Sequence, residues 1–193
     1  MEREELTTMP LLKYVILLGG ALILGALLSR FIFQINLVSG NSMHPSLNDG
    51  EFGISLKAPY RLFGSDFNRN DVVTMQYPNE DRVFIKRVIG LPNEHIEIIA
   101  GDILINGKKY NDEYRNPFAA VEIMSGDGLV ETTLDNLEEY RRIYSLNYGD
   151  YFDIQLGSDE YFCLGDNRFY STDSRLLGPI KKKDIHGKFI KLF

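Results

Sequence analysis

The sequence predicts a mainly β protein, with an N-terminal transmembrane helix followed by an antiparallel β-sheet domain that carries a small inserted β/loop subdomain. Three observations predict it. Residues Leu11 to Phe33 are almost wholly apolar. From about Gln34 onward, short segments rich in β-branched and aromatic residues alternate with clusters of Gly, Pro, Asn and Asp. After the apolar run no long amphipathic helical pattern recurs; Leu134–Tyr144 is the best candidate, and a weak one.

Taken in order, residues 1–10 form a polar start with Glu2, Glu4 and Glu5. Residues 11–33 follow as the membrane helix: 23 residues span about 35 Å, enough for a bilayer core. Lys13 and Arg30 lie near its two ends, where their charges can snorkel to the interfaces. A cleavable leader is disfavoured by the acidic start, the length of the apolar run and the lack of a convincing small-x-small site before Arg30. The reading is therefore a retained anchor, whose orientation is poorly set by charge because Arg3 and Lys13 are balanced by Arg30 and the glutamates.

Strands are expected at Ile35–Val38, Glu51–Leu56, Asp71–Gln76, Arg82–Ile89, His95–Ala100, Asp102–Ile105, Tyr151–Gln155, Tyr161–Leu164 and Gly187–Leu192. Asn106-Gly107 is a two-residue hairpin signal. Between about Tyr110 and Asp150 the chain is polar, tyrosine-rich and weakly periodic. The β domain is accordingly divided into a first part, 34–105, and a second part, 158–193, with 106–157 as an inserted subdomain or long loop.

Composition narrows the function. The net charge is −6 over 193 residues, without a basic patch, which excludes a nucleic-acid footprint. The single cysteine, Cys163, excludes an internal disulfide, and its apolar neighbours suit a small buried hydrophobe. There is no CxxC and no HExxH, and the three histidines are far apart, so neither a metal nor a cofactor is expected.

Three segments carry candidate chemistry. The first is Ser39-Gly40-Asn41-Ser42-Met43-His44-Pro45-Ser46-Leu47, a constrained turn directly after the anchor. A serine there can offer both its hydroxyl and its own N–H to one carbonyl. The second is Arg82 to Pro92. As a strand it places Phe84, Lys86 and Val88 on one face and Val83, Ile85, Arg87 and Ile89 on the other. If that first face is buried, Lys86 is desolvated and its pKa falls, which is what a lysine general base requires. The third is Gly165 to Arg175, dense in turn formers, hydroxyls and charges, in which Ser171 could orient the Lys86 amine and Asp173 and Arg175 could brace the loop. Alone, each segment also fits an ordinary role: a loop serine, a lysine at a strand end, a polar surface loop.

The ordered set SGNSMHPSL, FIKRVIGLP and GDNRFYSTDSR, after one apolar N-terminal segment, closely resembles the bacterial type I signal peptidases. The resemblance implies that Ser42 is the nucleophile and Lys86 the general base. It further implies that Ser171 hydrogen-bonds the lysine, that Asp173 and Arg175 structure the site, and that Met43 packs beside the dyad. Substrates would be secretory pre-proteins, bound in extended form and cut after small residues, with Val38 and Ile85 helping to form shallow apolar pockets. The lipid bilayer and the export translocon are the other implied partners. The family places the N-terminus in the cytoplasm and the catalytic domain on the extracellular side of the cell membrane. Some members carry a serine where this chain has Gly40, and its hydroxyl helps hold the oxyanion. Here that duty falls mainly to the Ser42 N–H. His44 is read as a bystander.

Overall fold

A computed structural model of the chain describes residues 2–57, 59–60, 63–115, 120–125, 128–133, 142 and 151–192. Helix α1 spans Glu2–Ile32 and strand β1 (Phe33–Leu37) follows directly. The helix thus starts nine residues before the apolar run and ends one residue before Phe33. The large apolar side chains described on it from Leu12 to Phe31, among them Leu17 (67%) and Leu22 (67%), are more than half exposed. Among the described residues, no helix is long and apolar enough to cross a membrane.

Every strand pairing is antiparallel. The larger sheet combines β1, β2 (Phe52–Leu56), β3 (Val72–Met75), β4 (Phe84–Gly90), β11 (Glu160–Leu164), β12 (Ile180–Lys181) and β13 (Ile185–Lys191). Its order is β1-β2-β13-β3-β4-β11-β12, so strands from both ends of the chain lie side by side. A four-stranded sheet, β10-β5-β6-β7, is built from β5 (His95–Ile99), β6 (Asp102–Ile105), β7 (Lys108–Lys109) and β10 (Tyr151–Gln155). Asn106 and Gly107 both have positive φ, 52° and 73°, as the turn between β6 and β7 requires.

All nine expected strands are present, with ends shifted by a few residues. A tenth and eleventh, β8 (Ala120–Ser125) and β9 (Gly128–Thr133), pair as a hairpin inside the stretch that composition reads only as polar and weakly periodic. The local cue is the alternation in Val121-Glu122-Ile123 followed by Gly126-Asp127. The short strands β7 and β12 also have no sequence signal, since two residues are too few to show a period. The helical candidate Leu134–Tyr144 lies outside the described residues apart from Arg142.

The core forms three clusters. One, with Ile89, Ile96, Ile98, Ile103, Leu156 and Phe162, joins the two main sheets. A second gathers Val73, Met75, Phe84, Val88, Tyr161 and Cys163, so the lone cysteine is indeed a buried core residue. The third is small: Val38, Met43, Leu47 and Phe189, with Ile85 packed against it. Each fully buried aliphatic or aromatic side chain contributes about 1.5–3 kcal/mol. The third cluster is the one that fixes the seryl turn to the sheet.

Candidate active site

The seryl turn is anchored at both ends. Val38 N–H donates to Glu51 O (2.8 Å) and Gly50 N–H to Val38 O (3.0 Å), tying the exit from β1 to the approach to β2. Gly40 takes φ +85°, a left-handed conformation that costs glycine little. Its N–H donates to Asp49 Oδ1 at 2.7 Å. His44 N–H donates to Asn41 O (3.1 Å) and Leu47 N–H to Met43 O (2.9 Å), which closes the turn. Met43 points inward and is 1% exposed, whereas the neighbouring Ser42 is half-buried and the His44 side chain is exposed.

Strand β4 delivers the lysine. Phe84 and Val88 enter the same core cluster, and Lys86 between them is only 3% exposed. Its Nζ lies 2.7 Å from Ser42 Oγ and 3.0 Å from Ile85 O. Burial pushes the Lys86 pKa down from the ordinary lysine value to about 8. The Asp173 charge pulls it up, Arg82 adds to the lowering, and Asp166 again raises it. An amine partly neutral near physiological pH, within hydrogen-bond reach of a serine hydroxyl, can take that hydroxyl's proton and make it a nucleophile.

The third segment packs onto the back of this pair. Asn167 N–H donates to Ser42 O (3.1 Å). Gly165 makes so close an approach that a Cβ there would lie 2.5 Å from Ser42 O and overlap Ser171 Oγ. Asp173 is fully buried and accepts from Gly165 N–H (3.0 Å), from Arg175 Nε (2.8 Å) and from Arg175 Nη2 (2.8 Å). Burial pushes the Asp173 carboxyl up, but the Arg175 charge and these hydrogen bonds outweigh it and hold the carboxyl below its ordinary range. Asp173 also caps the short helix α2 (Ser174–Leu177), accepting from Arg175 N–H. Among the described residues the buried Ser171 Oγ meets no partner at full hydrogen-bond geometry, the Lys86 amine included, although it lies near enough to Asp173 to help lower that carboxyl.

A cleft of about 250 Å³ opens beside the pair. Val38, Gly40, Ser42, Met43, Ile85 and Lys86 line it, along with Tyr170 and Thr172 from the third segment. The structure therefore brings Val38, Gly40, Ser42, Met43, Ile85 and Lys86 to one cleft, with Ser171, Asp173 and Arg175 in the loop that packs behind it.

Sequence reasoning passed over one arrangement. Arg87, next to the lysine, holds Asp166 through Nε (2.8 Å) and Nη2 (2.6 Å), and both side chains are buried. Arg87 also donates to Asn70 O (2.8 Å) and Ser46 Oγ (3.2 Å), so one guanidinium bridges the seryl turn and the third segment. The only sequence signal is an arginine on the strand face opposite Lys86; nothing local pairs it with a residue 79 positions away.

The chain is similar to known proteins over most of its length. A family model described as "Signal peptidase, peptidase S26" matches residues 11–193. Signal peptidase I P of Bacillus subtilis subsp. natto is 36% identical over 169 residues, covering 86% of this chain and 80% of that protein. Signal peptidase I S of Bacillus subtilis strain 168 is 32% identical over 173 residues, covering 88% of this chain and 83% of its own length. A crystal structure of a signal peptidase I from Enterococcus faecalis shares 25% identity and covers 64% of this chain and 97% of that one, at a TM-score of 0.42. With a buried lysine set against a turn serine, and with similarity running almost end to end, the chain belongs to the signal peptidase family, peptidase S26.

Proposed function

We propose that this signal peptidase cleaves exported pre-proteins with Ser42 as nucleophile and Lys86 as general base. The observation that carries the reading is the 2.7 Å contact between Lys86 Nζ and Ser42 Oγ, made by a lysine that is almost wholly buried. In the neutral amine the Nζ lone pair accepts the Ser42 proton while Oγ attacks the scissile carbonyl carbon. The protonated amine then gives its proton to the leaving amine, which leaves an ester on Ser42. A water deprotonated by the same amine releases the product acid. Asp173 and Arg175 set the position of the loop behind the pair, and Ser171 packs beside Gly165 within that loop.

The oxyanion would be held by the Ser42 N–H. The Gly40 N–H is already given to Asp49, and Gly40 brings no hydroxyl, so the second donor found in some relatives has no counterpart in this residue. Loss of one such donor costs about 10² to 10³ in rate where nothing replaces it. Val38 and Ile85, both lining the cleft, would form shallow pockets that admit small side chains before the cut. An extended substrate would lie between the end of β1 and residues 82–85.

The same reading makes α1 a single-pass anchor in the cell membrane, with 1–10 cytoplasmic and the catalytic domain outside. Its support is the exposed apolar surface of α1 together with Phe33, Ile35, Leu37 and Phe52 on the adjoining strands, all at least 38% exposed. Residues 34–105 and 158–193 form the catalytic domain, and 106–157 the insertion. Lipid and the translocon are the expected neighbours.

The test is cleavage of a secretory precursor by the detergent-solubilised protein beside Ser42→Ala. Wild type should release the mature product and Ser42→Ala none; equal cleavage by both would overturn the assignment. The pH dependence supplies a second check. Because the base acts when neutral, kcat/KM should rise from acid to alkaline pH with a midpoint near 8. A histidine-like midpoint near about 6.5 would point to another base.

A further inference from the structure

We propose that residues 110–115, which leave β7 and run back over the catalytic domain, act as a strap that positions the catalytic loops, with Asp112 and Tyr114 as its positioning residues. The inference rests on the proteolytic reading above and deepens it.

Three side chains of the strap make the case, each meeting a group that is bonded to the seryl turn, to the third segment or to Arg87 between them. The Tyr114 ring centroid lies 3.6 Å from Arg87 Cζ, so the ring covers one face of the guanidinium whose edge holds Asp166 and Ser46. Asp112 pairs with Arg168 Nη1, and both side chains are buried. Arg168 Nε in turn donates to Gly165 O at 2.8 Å, and Arg168 O accepts from Arg175 Nη2 at 2.6 Å. Gly165 is the residue packed against Ser42 O. The Tyr110 hydroxyl donates to Asn70 Oδ1, while Asn70 O accepts from Arg87 Nη1.

The chemistry explains why these contacts position rather than merely pack. A guanidinium held only along its edge can still tilt about that edge; a ring stacked on its face removes the tilt. Arg168 is 2% exposed, and Asp112 is a carboxylate set against it; among the described residues the other carboxylate oxygen of Asp112 meets no hydrogen-bond partner. Neutralising Asp112 changes the charge balance at the guanidinium whose Nε holds Gly165 O, and so shifts the loop that packs on the seryl turn. Displacing a nucleophile by about 1 Å can cost up to about 10²-fold in rate with no change in the fold.

The experiment measures kcat and KM for precursor cleavage by full-length wild type, Ser42→Ala, Tyr114→Ala, Tyr114→Phe and Asp112→Asn. Tyr114→Ala and the nearly isosteric Asp112→Asn should each lower kcat about tenfold or more with KM within about twofold. Tyr114→Phe keeps the ring and should restore wild-type kcat. If Tyr114→Ala does not fold, Asp112→Asn and Tyr114→Phe still decide the matter. Wild-type kcat in Asp112→Asn, a Tyr114→Phe as slow as Tyr114→Ala, or a loss carried by KM would overturn the strap. Those results fall on the strap alone, provided wild type cleaves and Ser42→Ala does not. Cleavage by Ser42→Ala would overturn the proteolytic assignment and the strap with it.

Discussion

Lys86→Met should abolish precursor cleavage and yet leave the protein more stable than wild type at neutral pH. The rate falls because the Ser42 hydroxyl loses its proton acceptor, an effect of about 10²–10⁴-fold or more for a positioned base. Stability moves the other way because Lys86 is almost wholly buried and methionine fills a similar space without a charge. Burial lowers the folded-state pKa to about 8 from 10.5, so below about pH 8 the folded protein carries the whole cost of a desolvated ammonium. Between about 8 and 10.5 the unfolded chain holds the proton and the folded chain has lost it. Wild-type stability therefore rises with pH through that window. The advantage of Lys86→Met should be on the order of 3 kcal/mol below pH 8 and should vanish above about 10.5. Chemical denaturation at pH 7 and at high pH checks this. A mutant less stable than wild type at both values would show that the lysine is not desolvated at a cost.

Asp166→Ala should destabilise the protein by about 3–5 kcal/mol, the usual result of removing one partner of a buried ion pair. The Arg87 guanidinium would stay behind, 5% exposed, with Asn70 O and Ser46 Oγ among the described residues to accept from it. Set against a total stability of about 5–15 kcal/mol, that loss is large. Replacing both partners, as Arg87→Met with Asp166→Leu, should recover much of it, since the cost lies in the uncompensated charge. Urea unfolding of the single and double variants measures both quantities. A single mutant within about 0.5 kcal/mol of wild type would mean that solvent reaches the pair. Cleavage should fall in either case, because the bridge between the seryl turn and the third segment is gone.

The strands were legible because their residues obey a two-residue period and because turn formers mark their ends. Asn106-Gly107 is the clearest instance: the dipeptide predicts the turn, and both residues take the positive φ it needs. Hairpin β8–β9 was less legible, since its alternation is diluted by acidic residues and surrounded by polar chain. The likeness of three short segments to one family pointed to Ser42, Lys86 and Ser171 together, although a lone serine in a turn or lysine in a strand would have meant little.

By itself, then, the sequence determined what depends on local order: the apolar N-terminal run, the strand pattern, the face of β4 that Lys86 shares with Phe84 and Val88. Tertiary structure decided the rest. Whether Lys86 is desolvated depends on strands and loops far along the chain closing over that face. The Arg87–Asp166 bridge, the approach of Gly165 to Ser42 O and the strap over both arginines join residues tens of positions apart. No local pattern encodes such pairs, because a charge finds its partner only after the sheet order β1-β2-β13-β3-β4-β11-β12 has brought their strands together.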